Sequence, residues 1–258
     1  MRLFVAIYLP ADSVDHLAAF VADLHVGKAQ AAGVNPRLAP RETYHLTVAF
    51  LGDVPDARLP DAEAAISAAV TSWHTHAARD LRRAARRDLQ RDAGLAAGDP
   101  RAHTRRSGAP DAGADPADHV ASAPGSPAGA AKGPRKPQDR GGAGKAPQVW
   151  IAGGGRFGRG RFSVLWAGVH GETERLAALT RAVRRELKRA RLPYDERPWR
   201  PHLTIARPGD RLDRAQLGAD RAALAAYRGP AWPASELVLV RSHLGPTPSY
   251  DRLTGWPL

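Results

Sequence analysis

Apolar residues follow strand-like and helix-like spacings over most of the chain. Strands are predicted over residues 3–9, 44–51, 149–152, 162–169, 202–207 and 236–241. Apolar positions that recur every three or four residues predict helices over 13–25, 60–70, 172–190 and 213–227. Strands and helices therefore alternate on both sides of a long central stretch that lacks such periodicity.

The central stretch, residues 76–145, differs in composition from its flanks. A charged, alanine-rich run over 79–90 predicts a short exposed helix, and after it Leu95 and Val120 are the only large aliphatic residues. Such a segment buries too little surface to offset the entropy of ordering it. We therefore predict one domain over residues 1–258, interrupted by a disordered basic insertion at 76–145. The insertion acts either as a solvated linker or as a tether for RNA.

Composition narrows the class of protein. The 258 residues include no cysteine, which excludes disulfides, thiolate nucleophiles and cysteine-bound zinc. No apolar run approaches the roughly 18–20 residues that span a bilayer, and the apolar start of the chain predicts a first strand. We expect a cytoplasmic protein that is not in a membrane.

The formal net charge is +12, and half of it lies in the insertion, which holds fourteen Lys or Arg and eight Asp or Glu residues. A basic chain favours a polyanionic partner such as nucleic acid. A compositional bias toward arginine and alanine explains the same charge equally well. Charge alone therefore does not decide between a nucleic-acid partner and a compositional bias.

A nonapeptide occurs twice in the chain. Residues 45–53 read His-Leu-Thr-Val-Ala-Phe-Leu-Gly-Asp, and residues 202–210 read His-Leu-Thr-Ile-Ala-Arg-Pro-Gly-Asp, with six of nine positions identical. Each copy follows a predicted strand and helix and precedes another helix. Two related halves that face one another would bring both copies into a single cleft.

The repeated residues suit acid–base chemistry on a phosphodiester. Side chains two apart on a strand share a face, so His45 projects with Thr47 and His202 with Thr204. Histidine titrates near neutral pH, and a pair can remove one proton and deliver another. Threonine hydroxyls between them can donate hydrogen bonds to the non-bridging phosphate oxygens.

Less specific interpretations exist for each of these features. A single histidine on a strand is usually structural, but two within a matched nonapeptide are not easily explained that way. Zinc needs three or four ligands, and no third one has an obvious spacing, so we predict no metal site.

The glycine-rich stretch 153–160 lacks the Lys-Ser/Thr ending of a phosphate loop and is better explained as a hairpin turn. Tyr250 is a candidate either for stacking on a base or for core packing.

The two motifs resemble the signatures of the two-histidine (2H) phosphoesterases. The segments 2–7, 50–52, 197–201 and 241–246 extend the likeness to the LigT-like RNA 2′,3′-cyclic phosphodiesterases, the bacterial "2′-5′ RNA ligase" group. The resemblance covers roughly residues 1–75 and 146–258. It implies an α+β, bilobal, duplicated fold in which two antiparallel sheets face a central groove with helices outside.

The resemblance also implies a reaction and its residues. The reaction is hydrolysis of RNA 2′,3′-cyclic phosphate ends, or of small cyclic nucleotides, to 2′-phosphates without metal or cofactor. The resemblance makes His45 the proton donor and His202 the proton acceptor. It also assigns phosphate binding to Arg207, beside Thr47 and Thr204. We expect Arg207 to oppose protonation of His202, and we expect His45, with Phe50 at the equivalent place, to keep its proton. We expect a monomer.

Two other functions remain open at this stage. One is 2′-5′ RNA ligase or 2′-5′ phosphodiesterase activity at the same two histidines. The other is a non-catalytic protein that binds RNA ends, in which the basic surface matters more than the histidines.

Overall fold

The computed structural model describes residues 1–96, 145–158, 162–245 and 249–258. The chain divides into two compact units, one made of Met1–Leu81 with Gly141–Leu258 and the other of Arg82–Arg140. The sheets and cavities described below belong to the first unit.

The described elements alternate between strands and helices. In chain order they are β1 (Arg2–Tyr8), α1 (Ala11–Asp23), α2 (His25–Ala31), β2 (His45–Asp53), α3 (Leu59–Ala96), β3 (Gln148–Phe157), β4 (Val164–Gly171), α4 (Thr173–Arg189), β5 (His202–Ala206), α5 (Arg214–Ala226), β6 (Arg228–Pro233), β7 (Glu236–His243) and β8 (Ser249–Pro257). Short 3₁₀ turns at Arg41–Thr43 and Asp56–Arg58 precede β2 and α3.

Two antiparallel sheets of four strands form the core of the fold. One has the order β2-β1-β7-β8 and the other β5-β4-β3-β6. The predicted α+β class with two antiparallel sheets is confirmed. Because β7 and β8 pair beside β1, the first sheet joins the two ends of the chain.

The apolar run of β1 is continuous because both faces of this strand are covered. Leu3, Val5 and Ile7 point into the main core with the helices. Phe4 and Ala6 point to the other face, where they form a small cluster with residues of β7. This second face is the one that leads to the site described below.

Two edge strands, β6 and β8, are absent from the elements predicted from sequence. Both sequences mix charged residues, glycine or proline with aromatics, and most of their side chains are exposed or half-buried. Neither sequence alternates between apolar and polar residues. They become strands because they pair with β3 and with β7 in the tertiary structure.

The helix predicted over 60–70 is wrong in its length, because α3 continues to Ala96. Its first turns are anchored by buried side chains at helical spacing, among them Ala62, Ile66 and Trp73. Beyond them the sequence is rich in Ala, Arg and Leu, with neither Gly nor Pro before Gly94, and such residues favour a helix. The predicted insertion at 76–145 is thus helical at its start, and residues 97–144 of it lie outside the described residues. None of the helices in the described part of the chain is long and apolar enough to cross a bilayer.

A buried carboxylate joins helices from the two halves of the chain. Asp220 on α5 is fully buried and accepts hydrogen bonds from the backbone N–H groups of His25 (2.7 Å) and Val26 (3.0 Å), the first residues of α2. The Nδ1 atom of His25 lies 2.9 Å from the same carboxylate. Asp220 therefore caps a helix distant in sequence, where its negative charge also complements the helix dipole.

We expect Asp220→Ala to destabilise the fold by about 2–3 kcal/mol, because buried N–H donors lose their acceptor. Urea denaturation followed by circular dichroism measures the change. As a control, Asp23→Ala removes an exposed carboxylate at the end of α1 and should change stability by less than about 0.5 kcal/mol. Equal stability of the two variants would contradict a capping role for Asp220.

Candidate active site

The first copy of the nonapeptide forms the edge strand β2, and the first five residues of the second copy form the edge strand β5 of the other sheet. On both strands the residues between the polar ones are buried in the main core, among them Leu46, Val48, Leu203 and Ile205. This alternation turns His45 and Thr47 to the opposite face of β2, and His202 and Thr204 to that of β5.

Both faces open into one cavity of about 190 Å³. All five residues predicted for the site line it: His45, His202, Thr47, Thr204 and Arg207. The structure therefore brings together side chains that lie more than 150 positions apart in the sequence. The other lining residues are Phe4, Ala39, Thr43, Phe50, Ser242 and Tyr250.

Two of these lining residues, Phe4 and Ser242, were not identified from sequence as part of the site. Ser242 faces Tyr250 across the β7–β8 pair, and both reach the cavity from the C-terminal part of the chain. Phe4 reaches it from β1, beside β2. Tyr250, for which two roles were open, lines the cavity with its ring centroid 5.5 Å from that of His45.

Each histidine ring is oriented by the backbone two residues before it. His45 Nδ1 lies 2.6 Å from the carbonyl oxygen of Thr43, and His202 Nδ1 lies 2.7 Å from that of Arg200. A carbonyl only accepts, so Nδ1 carries the hydrogen in both rings. Nε2 is left as the atom that gains or loses a proton, and in this respect the two rings are equivalent.

The surroundings of the two rings differ. His45 packs among the rings of Phe4, Tyr8 and Tyr250, with centroids 4.9 to 5.8 Å away. His202 has Phe157 and Trp166 edge-on at 5.0 and 6.1 Å. The pKa of His45 is lowered to about 4, chiefly by burial. The hydrogen bond to Thr43 opposes this shift, and the nearby Arg207 and His202 add to it.

This electrostatic pattern corrects one expectation from the sequence. Arg207 was expected to oppose protonation of His202 and to leave His45 alone. In the structure its charge lowers the pKa of His45, since the cavity brings the side chain to the opposite strand. In the free protein His45 is therefore neutral at neutral pH.

Backbone hydrogen bonds tie each motif strand to the loop that precedes the other motif. On the β5 side, Ala39 N donates to Ile205 O (2.8 Å) and Arg207 N to Arg37 O (3.1 Å). A bridge between Leu38 and Ala206 lies between these two bonds.

On the β2 side, Asp195 N donates to Phe50 O (2.8 Å), and the indole N–H of Trp199 donates to Thr47 O (2.9 Å). Edge strands leave backbone groups unpaired. Here those groups hold the two halves together around the histidines.

Other features of the sequence are not among the lining residues of this cavity. The prediction of a hairpin turn over 153–160 is wrong for residues 153–157, which belong to β3. Gly158 has a φ of 71°, and residues 159 and 160 lie outside the described residues. His243, which lies in the family-like segment 241–246, contacts Asp251 across the β7–β8 pair at 2.6 Å and is not among the lining residues. Among the described residues, no group of three or more His, Cys, Asp or Glu side chains is arranged to hold a metal ion.

Two family models match the chain on either side of the insertion. Residues 7–79 match the LigT-like phosphoesterases, and residues 138–246 match the 2′-5′ RNA ligase superfamily. Each match contains one of the two motifs. The chain belongs to the LigT-like 2H phosphoesterases. No curated protein matches the sequence.

Solved structures share the fold of this LigT-like phosphoesterase at low sequence identity. TT0787 of Thermus thermophilus is 22% identical with a TM-score of 0.51, over 100% of this chain and 98% of that one. E. coli LigT complexed with 3′-AMP is 18% identical with a TM-score of 0.53, over 100% and 97%. E. coli LigT complexed with ATP is also 18% identical, with a TM-score of 0.51 over 100% of this chain and 97% of that one.

We expect NMR titration to show His45 neutral between pH 6 and 8, with a pKa lowered to about 4. In Arg207→Gln this pKa should rise, because a cation that opposes protonation is removed. It should stay below the ordinary value of about 6.5, because burial, the larger cause, is unchanged.

As a control, Arg181→Gln removes an exposed charge on α4 and should leave the titration of His45 unchanged. A His45 pKa at or above the ordinary value, or one that Arg207→Gln does not move, would refute this account of the cavity.

Proposed function

We propose that this protein hydrolyses RNA 2′,3′-cyclic phosphate ends to 2′-phosphates, with His45 and His202 as the acid–base pair. The observation that carries the proposal is the single cavity lined by two imidazoles, two threonines and one arginine. Membership of the LigT-like phosphoesterases supports the same reaction class.

In the proposed reaction a water oxygen attacks phosphorus, and the bond from phosphorus to O3′ breaks. His202 Nε2 accepts a proton from the water, and His45 Nε2 donates one to the departing O3′. The product carries a 2′-phosphate and a free 3′-hydroxyl, and the two histidines exchange protonation states. Each proton transfer of this kind is typically worth about 10²–10⁴ in rate.

Thr47, Thr204 and Arg207 bind the non-bridging oxygens in this proposal. Threonine hydroxyls donate one hydrogen bond each, and a guanidinium donates two in a fork that matches two oxygens. Negative charge increases on these oxygens in the transition state, where fixed donors contribute most. The cavity of about 190 Å³ is smaller than the roughly 300–1,000 Å³ of pockets that enclose drug-sized ligands. It therefore suits the reacting phosphate and leaves the rest of the RNA outside.

The donor role of His45 requires a proton that the free protein lacks at neutral pH. A bound cyclic phosphodiester carries one negative charge. Next to His45 this charge offsets the influence of Arg207 and also opposes the effect of burial, so it favours protonation of His45. We infer that His45 gains its proton when the substrate binds. His202 then starts neutral and serves as the base.

The proposed ligands are RNA ends and small cyclic nucleotides. E. coli LigT, which shares the fold, has been crystallised with 3′-AMP and with ATP, so nucleotide binding in this fold is consistent with the proposal. The lack of cysteine suits a reducing compartment, and we include a cytoplasmic, monomeric protein in the proposal.

A second candidate is cleavage or formation of 2′-5′ linkages in RNA. The match of residues 138–246 to the 2′-5′ RNA ligase superfamily favours it. The same pair of histidines would act on the phosphodiester, with a ribose 2′-oxygen as leaving group or nucleophile.

We expect His45→Ala and His202→Ala each to reduce hydrolysis of 2′,3′-cyclic AMP by about 10²-fold or more. Thr47→Ala and Thr204→Ala should reduce it less, because one neutral hydrogen bond is lost. Chromatography of the products in the presence of a chelator measures turnover and shows whether the phosphate remains on O2′.

Arg181→Ala on α4 serves as the control and should retain full turnover. More than a tenth of the activity in either histidine variant would refute the acid–base pair. Binding of a cyclic-ended RNA without turnover by the wild type would instead favour the non-catalytic alternative.

We further expect His202→Gln to take up about one proton when it binds 2′,3′-cyclic AMP at pH 7, since only His45 gains charge. Calorimetry in buffers of different ionisation enthalpy measures the uptake. The affinity should fall as pH rises through the pKa of His45 in the complex.

The double variant His45→Gln with His202→Gln should show no uptake. If the single variant His202→Gln takes up no proton, His45 stays neutral in the complex. The donor and acceptor roles of the two histidines must then be exchanged.

A further inference from the structure

A second cavity, of about 530 Å³, lies where the end of β3, the turn after β5 and helix α5 meet. Three arginines line it, Arg156, Arg214 and Arg221, with Asp210 as the one acidic residue among the lining side chains. It is separate from the cavity of the two histidines, and no residue lines both.

One face of α5 forms a wall of this cavity. Arg214, Leu217, Gly218 and Arg221 are spaced at i, i+3, i+4 and i+7, so they share a helix face. Leu217 is buried, while a side chain added at Gly218 would meet nothing within 4 Å. Gly218 therefore leaves open space on this wall, which a longer side chain would occupy.

The charge of this wall favours an anion. Within the described residues, none of the three guanidinium groups takes part in an ion pair. Arg214 is the first residue of α5 and directly follows the N-cap Asp213, whose carboxylate accepts a hydrogen bond from the backbone N–H of Gln216. A cation there opposes the helix dipole, which argues against a purely stabilising role.

The chain links this cavity to the catalytic one at two places. Arg207 lines the catalytic cavity, and Gly209, with φ of 61°, lines the second one two residues later. Arg156 lines the second cavity, and the next residue, Phe157, has its ring 5.0 Å from that of His202.

We propose that the cavity walled by Arg156, Arg214 and Arg221 binds a backbone phosphodiester of the RNA whose cyclic end occupies the catalytic cavity. Arginine suits this ligand, because its planar fork donates two parallel hydrogen bonds to phosphate oxygens. The site would favour longer RNA over mononucleotides without touching the reacting atoms. This inference rests on the proposed function for the identity of the RNA end.

Two kinds of variant test the site: one removes positive charge from the cavity, and the other fills the cavity with a larger side chain. Arg214→Gln with Arg221→Gln removes two cations, and Gly218→Leu fills the cavity without changing charge. Turnover is compared between 2′,3′-cyclic AMP and a short oligonucleotide with a 2′,3′-cyclic phosphate end.

We expect both variants to lower kcat/KM for the oligonucleotide by about tenfold. This is the size of loss expected when a charge-assisted hydrogen bond is removed. For cyclic AMP, kcat/KM should stay within about twofold, because the catalytic cavity is intact. The salt dependence of the oligonucleotide reaction should also weaken in the charge variant, by a slope of about 0.7 per phosphate released from contact.

Matched controls separate the site from general effects. Arg181→Gln with Lys188→Gln removes the same charge from exposed positions on α4, and Gly218→Ala adds only a methyl group in open space. Both should behave as wild type with both substrates.

The proposal is overturned if the oligonucleotide reaction is unchanged, if the α4 control weakens it equally, or if turnover of cyclic AMP falls in parallel. A wild type that turns over neither substrate contradicts the proposed function instead. Fluorescence anisotropy of a labelled cyclic-ended oligonucleotide then still tests the site, and equal affinity in wild type and charge variant would overturn it.

Discussion

Reciprocal hydrogen bonding between the two halves of the chain determines the geometry of the cavity that holds the two histidines. Both motifs lie on edge strands, and each edge is bonded by the loop that leads into the other motif. The bond from Trp199 to the carbonyl of Thr47 crosses between halves directly beside the site. Because an edge strand has unpaired backbone groups, closing the cleft satisfies those groups and aligns the histidines in one step.

The two histidines share a sequence motif and a backbone contact, yet their environments differ. Both rings direct Nδ1 to the carbonyl two residues earlier. Only His45 is packed among Phe4, Tyr8 and Tyr250, and burial together with Arg207 lowers its pKa to about 4. A duplicated motif thus places its two histidines in surroundings that are not duplicated.

Basic side chains line both cavities of the described part of the chain. Arg207 at the end of β5 reaches the catalytic cavity, and the arginines of α5 line the cavity beyond the same turn. Helix α5 also carries Asp220, which caps α2 from within the core. One helix therefore combines a structural carboxylate on its buried side with a basic wall on another.

The sequence by itself determined the class of fold, most of the strands and helices, and the five side chains of the candidate site. The strands and helices follow from local periodicity, and the histidines and threonines follow from a nonapeptide whose two copies share them. The fold class and the phosphate-binding role of Arg207 follow from the family that these motifs resemble. Only the tertiary structure decided that β6 and β8 are strands, that α3 runs on to Ala96, and that Arg207 acts on His45. Edge pairing, burial and charge–charge distances depend on residues far apart in the chain, and no local pattern encodes them.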